Sequence, residues 1–153
     1  MIEIRTATIA DVKALAELRW AFRSATPNEP VEAHDPFVRR CAVWMRRELQ
    51  IGGSWKVWVA VERHAIVGQV WLRTVQKIPN PIAEAEQLAY ISNLYVELAA
   101  RGGTGTRLLA AALAWCRANR VDRVVLWPTK RSVSLYLGHG FSHAGDVMEL
   151  PIR

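Results

Sequence analysis

AYISNLYVELAARGGTGTR, residues 89–107, is the stretch on which the fold turns. An apolar run ends at Val96, a short linker follows, and a glycine-rich loop opens into the helix-patterned LLAAALAWCRA of residues 108–118. Strand, glycine turn, helix start is the order that builds an anion site. Gly102, Gly103 and Gly105 let the main chain turn its N–H groups inward, and the first N–H groups of a helix carry partial positive charge. The ligand this arrangement suits is a phosphate or pyrophosphate.

Two phosphate-loop patterns do not match. A nucleoside-triphosphatase loop needs a lysine and a hydroxyl directly after its last glycine, and here Gly105 is followed by Thr106 and Arg107. A dinucleotide fingerprint needs a third glycine where Leu108 stands, and it normally follows the first strand of the chain. A helix start that uses glycines only for close packing is the remaining alternative at this point.

Working outward, residues 1–153 read as a single domain, with 51% hydrophobic and 22% charged residues. Ile2 to Arg5 alternates like a half-buried strand, and Thr8 or Asp11 can cap a helix carrying Val12, Leu15, Leu18 and Phe22 on one face. Thr26-Pro27-Asn28-Glu29-Pro30 stops it. A second amphipathic helix is expected after Asp35-Pro36, with Phe37, Cys41, Trp44 and Leu49 inward and Arg39, Arg40, Arg46 and Arg47 outward, ending at Gly52-Gly53. Trp55 to Val61 and Ala65 to Val75 flank Glu62-Arg63-His64 as a hairpin. A loop from Lys77 to Gln87 leads to the fourth strand, Leu88 to Val96. The helix from about Thr104 to Ala118, a short strand at Arg123 to Trp127, a helical turn at Ser132 to Leu137 and a last strand within Val147 to Ile152 complete the order βααβββαβαβ. The fold class is mixed α/β: a twisted central sheet with an antiparallel first part, a parallel pair in the second part and helices on both faces.

Composition restricts the function. The excess of 20 basic over 14 acidic residues suits an anionic cofactor or substrate, but no run of five like charges points to nucleic acid. No apolar run approaches the roughly 20 residues that cross a bilayer. The opening segment lacks a signal-peptide layout, so the expectation is a cytoplasmic protein. Cys41 and Cys116 stand far apart without a CxxC pair, so neither a metal site nor a disulfide is expected.

From Asn93 to Phe141 the chain resembles the GCN5-related N-acetyltransferase (GNAT) family. The resemblance rests on Asn93-Leu94-Tyr95-Val96, the Arg101 to Gly105 loop with Leu108-Leu109, Val124-Val125-Leu126, and Ser134-Leu135-Tyr136 followed by Gly138-His139-Gly140-Phe141, in the family's order. The opening Ile-x-Ile-Arg-x-Ala and the hairpin of Ala60-Val61 and Ile66-Val67-Gly68 extend it over nearly the whole chain. The loop departs from the usual Gln/Arg-x-x-Gly-x-Gly/Ala. Aligned on Gly103 and Gly105, Ala100 stands at the basic position; counted from Val96, Arg101 stands there in a loop one residue short.

The resemblance implies transfer of an acetyl group from acetyl-CoA to a primary amine of a small molecule or a protein. Leu94, Tyr95 and Val96 would hold the pantetheine arm, and Arg101, Gly102, Gly103, Thr104, Gly105, Thr106 and Arg107 the pyrophosphate. Thr129 would stand where the family often has an asparagine on the coenzyme arm. Tyr136 would be the general acid for the leaving thiolate. For the base, Glu86 ahead of the fourth strand, His34 or Asp35 near the second helix, and a water chain are the alternatives. Trp20, Trp44 and Trp71 are candidates for lining the acceptor pocket, and His64 and His139 read as structural. A homodimer is expected from the resemblance alone. The competing reading is a non-catalytic acyl-CoA-binding sensor of the same fold.

Overall fold

A computed structural model describes residues 1–25 and 29–152. The proline turn expected at Thr26-Pro27-Asn28 lies outside the described residues. Five strands form one sheet in the order β1-β2-β3-β4-β5: β1 Ile2–Thr6, β2 Trp55–Glu62, β3 Ala65–Gln76, β4 Gln87–Val96 and β5 Val124–Val125. The first four pair antiparallel, and β5 lies parallel to β4. Among the described residues four α-helices accompany them: α1 Val12–Ser24, α2 His34–Ile51, α3 Thr104–Ala118 and α4 Val133–Gly138.

Both faces of the sheet are covered, which explains why β2 and β3 contain unbroken buried runs rather than a clean alternation. Val57, Val59 and Trp71 face α1 and α2, where Val12, Leu15, Ala16, Val38 and Met45 meet them. Ala60, Val70, Leu72, Ala89 and Ile91 face Leu108, Leu109, Ala112 and Cys116 of α3. Gly68 is required by that second layer. A Cβ there would stand 3.1 Å from both Leu108 and Val96 side chains and 3.2 Å from the Tyr95 carbonyl.

The β2–β3 turn centres on Arg63 and His64, both in the left-handed region (φ 48° and 67°), the twist a two-residue hairpin needs. At the other end of the hairpin layer, Asp11 accepts both guanidinium nitrogens of Arg5 (2.8 and 3.0 Å) and the Thr8 N–H (2.7 Å). The Arg5 hydrogen bonds hold its carboxyl below the usual carboxylate range despite burial.

The last strand is the one expected element that does not form: no residue from 139 to 152 is in a strand. β5 is only two residues long and Pro128 soon follows, so its outer edge offers no ladder on which Val147 to Ile152 could pair. Met148, Leu150 and Ile152 are exposed, and the segment is tied by a hydrogen bond from Trp127 Nε1 to Glu149 (3.1 Å).

One buried polar link joins the layers. The amide of Gln69, fully buried in β3, donates to the Leu15 carbonyl of α1 (3.0 Å) and accepts from Trp71 Nε1 (2.8 Å). Replacing it by leucine strands the indole N–H in the core. Gln69→Leu is expected to lower unfolding stability by about 2–3 kcal/mol, read as a shift in the urea midpoint.

Candidate active site

The site is made by a parting of two strands. β4 and β5 pair only at Ala89–Val124 and Tyr90–Val125, after which they separate. From Ile91 to Val96 the outer edge of β4 faces a cleft rather than a neighbour, so its main-chain groups are available to a ligand. Within that segment β4 carries one residue more than β3: Trp71 pairs with Ser92 and Gln69 with Tyr95, leaving Val70 opposite both Asn93 and Leu94. Asn93 takes the left-handed conformation at φ 58°. Asparagine tolerates it better than most side chains, and the bulge turns the strand's end toward the cleft. Asn93 Oδ1 also accepts a hydrogen bond from Arg19 Nη1 (3.3 Å), which ties the bulge to α1.

The cleft has a volume of about 440 Å³. Residues 90–96 of β4, Gly102 and Gly105, Thr129, Leu135 and Tyr136 line it from the sheet side, and Arg19, Phe22 and Arg23 of α1 close it from the other. Phe22 stacks on Tyr95, ring centroids 5.3 Å apart. A second cavity of about 380 Å³ joins it through Arg19, Ser92 and Asn93, which border both. Its walls are Phe37, Cys41, Trp44, Met45, Trp55 and Trp71, with Arg40.

The glycine loop has backbone geometry that suits an anion. Gly102 and Gly103 adopt φ 113° and 107°, conformations strained for any residue with a Cβ. The Arg107 N–H makes the first bond of α3, to Gly103 O (3.1 Å), so the N–H groups of Thr104, Gly105 and Thr106 have no helical partner. Arg101 folds back along the cleft, its Nε donating to Val96 O (2.9 Å) and its guanidinium over Tyr95. Ala100 is buried. Of the two sequence alignments of the loop, the one with Arg101 at the basic position is the one that puts a cation on the cleft.

Not every expected residue reaches the site. Thr104 is buried with its hydroxyl bound to Ala100 O (2.6 Å), and Arg107 points to the opposite side, donating to Ile2 O (2.7 Å). Thr129 lines the cleft, but its hydroxyl is engaged with Ser132 (3.0 Å). Glu86 is not brought to the cleft. Its carboxylate accepts the Asn80 N–H (2.7 Å) and closes the loop ahead of β4, about 20 Å of strand away from the bulge. His34 pairs with Glu17 and Asp35 at the surface, and His34 and Asp35 begin α2, which starts after Ala33. Trp44 and Trp71 do line the second cavity; Trp20 lies outside it. His139 is held at the end of α4 by donating from Nδ1 to Leu135 O (2.9 Å).

Trp55, Arg19 and Arg40 line the second cavity without having been expected there. Arg19 had a signal: it follows Val12 and Leu15 and precedes Phe22 at helical spacing, a cation on an otherwise apolar stripe. Tyr136 is buried in α4 against Phe141, and burial pushes its phenol up to about 12. Among the described residues nothing hydrogen-bonds its hydroxyl and no side-chain polar atom is sealed without a partner, so the hydroxyl is open to solvent; the residue lines both the cleft and a cavity behind it with Phe141 and Val124. The groups able to hold a metal ion do not gather anywhere among the described residues.

The sequence profile described as "Acetyltransferase (GNAT) family" matches residues 13–141. Solved structures share the fold at full length. A GCN5-related N-acetyltransferase from Ralstonia eutropha is 27% identical, with 99% of each chain covered and a TM-score of 0.81. A protein from Clostridium acetobutylicum described as a predicted acetyltransferase, solved with acetyl-CoA, is 20% identical over 99% of this chain and 96% of its own, TM-score 0.82. Glucosamine-6-phosphate N-acetyltransferase from Arabidopsis thaliana is 18% identical over 100% and 99%, TM-score 0.72. A comparison with curated proteins finds no match.

The bulge is testable by its backbone. A β-branched side chain at the left-handed Asn93 position is strained where glycine is not. Asn93→Val is expected to unfold about 1–2 kcal/mol more easily than Asn93→Gly in chemical denaturation.

Proposed function

The chain belongs to the GNAT acetyltransferase family, and on that premise we propose that it transfers an acetyl group from acetyl-CoA to a primary amine by direct attack, with Tyr136 as the acid. The observation that carries this is the continuity of one cleft from the glycine loop, past the open edge of β4, to Tyr136.

Each part of the coenzyme has a counterpart along it. The pyrophosphate fits the free N–H groups of Thr104, Gly105 and Thr106 beside Arg101. The pantetheine amides fit the unpaired main chain from Leu94 to Val96, and the thioester then reaches the bulge. A backbone N–H there donates to the carbonyl oxygen as negative charge develops on it. The acceptor nitrogen forms its bond to the carbonyl carbon, the C–S bond breaks, and the sulfur takes a proton from the Tyr136 hydroxyl. A phenol held near 12 gives its proton to a free thiolate only uphill, so the transfer accompanies C–S cleavage. The proton that leaves the acceptor nitrogen passes to water, from which Tyr136 is reprotonated.

Water is the base in this reading because no carboxylate or histidine lines either cavity among the described residues. The cations there assist it. Arg19, Arg23, Arg101 and Arg131 border the cleft, and like charge lowers the pKa of an incoming ammonium toward its neutral, nucleophilic form.

Thiol release from acetyl-CoA across a panel of amines tests the reading. Tyr136→Phe is expected to lower kcat about 100-fold while the KM for acetyl-CoA moves less than about threefold. Because the phenol stays protonated until near 12, wild-type kcat should show no falling limb from its ionisation up to pH 10. Tight acetyl-CoA binding with no thiol release from any amine would instead identify a coenzyme-binding sensor.

A further inference from the structure

We infer that the acceptor is a primary amine bearing a carboxylate and an apolar side group, with Arg19 holding the carboxylate where the two cavities meet. This rests on the acetyl-transfer reading and narrows it.

The argument begins with charge. Arg19 is half-buried on the face of α1 that packs onto the sheet, and among the described residues no carboxylate pairs with it. Its one hydrogen bond among the described residues goes to the neutral amide of Asn93. Burial and the nearby Arg23 both work against its charge, lowering its pKa. A cation held out of water without a counterion is costly, and an anion supplied by the ligand relieves that cost. A carboxylate suits a guanidinium best because the two form parallel hydrogen bonds.

Position then says which ligand carries the anion. Arg19 touches the bulge at Asn93, the place where the acetyl group meets its acceptor, whereas the coenzyme's phosphates belong at the glycine loop beyond Val96. The second cavity leads away from this point and is aromatic: Trp44, Trp55 and Trp71 pack on one another with centroids 5.7–6.0 Å apart, and Phe37 and Met45 complete the wall. At about 380 Å³ it has the size of a small-molecule site. Of the two guanidiniums that line this cavity, Arg40 is already paired with Glu32, and Arg19 has no carboxylate partner among the described residues. A polyamine or aminoglycoside would bring extra cations against Arg19 and Arg40 with no acidic side chain to receive them. An amine with a carboxylate and a hydrophobic body matches both the cation and the aromatic wall.

Phenylalanine and phenethylamine differ by that carboxylate and make the test. Thiol release with acetyl-CoA is measured for both, and for spermidine, and binding of each to the protein saturated with coenzyme A is measured by calorimetry. Wild type is expected to favour phenylalanine over phenethylamine at least tenfold in kcat/KM and in affinity, with spermidine poorest. Arg19→Met should reduce the phenylalanine-to-phenethylamine ratio by tenfold or more, and Arg19→Lys should recover part of it. A purely structural role for Arg19 lowers both amines together and leaves the ratio intact. An unchanged ratio in Arg19→Met overturns the inference, as does a rise confined to the KM for acetyl-CoA, which would assign Arg19 to the coenzyme. Turnover of amines with no preference for the carboxylate overturns it while the acetyl-transfer reading stands. Selective binding of phenylalanine without turnover supports the carboxylate site and removes the acetyl-transfer reading. Neither binding nor turnover of any amine removes both.

Discussion

Main-chain hydrogen bonding that a sheet leaves unfinished is what the architecture of this protein is arranged around. A strand edge with unpaired N–H and C=O groups must find partners in water, in another chain or in a ligand. β4 meets β5 for two residues and then parts from it, and the extra residue at Asn93-Leu94 turns the unpaired segment toward the gap. α1 closes the gap on one side and α4 on the other. The glycine loop lies directly at the end of the same strand, so the unpaired backbone of β4 and the unpaired N–H groups of α3 form one continuous row of polar groups. A long, flexible ligand with amides in its middle and phosphates at one end is complementary to such a row.

The second determinant is the sign of the charge in the cleft. Cations border it and carboxylates are absent from its lining among the described residues. This makes the surroundings favourable to the coenzyme's phosphates and to neutral amine, while removing any side chain that could act as a strong base. In the proposed reaction the same arrangement leaves proton movement to water and to Tyr136, one of the tyrosines that line the cleft. Burial makes the Tyr136 phenol a weak acid, so in the proposed reaction its proton would move together with the breaking bond rather than ahead of it.

Much of this is legible in the sequence. The hairpin, the amphipathic helices and α3 follow from period and punctuation, and the glycine loop after an apolar run marks the anion site. The final strand was not legible correctly, because alternation in Val147 to Ile152 says nothing about whether a partner edge exists. Glu86 illustrates the same limit in chemistry. Its place just before β4 looked close to the reaction, but the strand runs about 20 Å before the bulge, and a nearer partner, the Asn80 N–H, takes its carboxylate.

By itself the sequence determined the element order up to β5 and α4 and the glycine loop at the start of α3, since these depend on local conformational preference and on spacing within one segment. Only the tertiary structure decided that Arg101 turns to the cleft while Arg107 turns away, that Asn93 is the bulge, and that Arg19 meets three tryptophans from α2, β2 and β3. Those outcomes depend on which side chains from distant segments share one volume and on which charges find a nearer partner. Neither is encoded in the neighbourhood of any single residue.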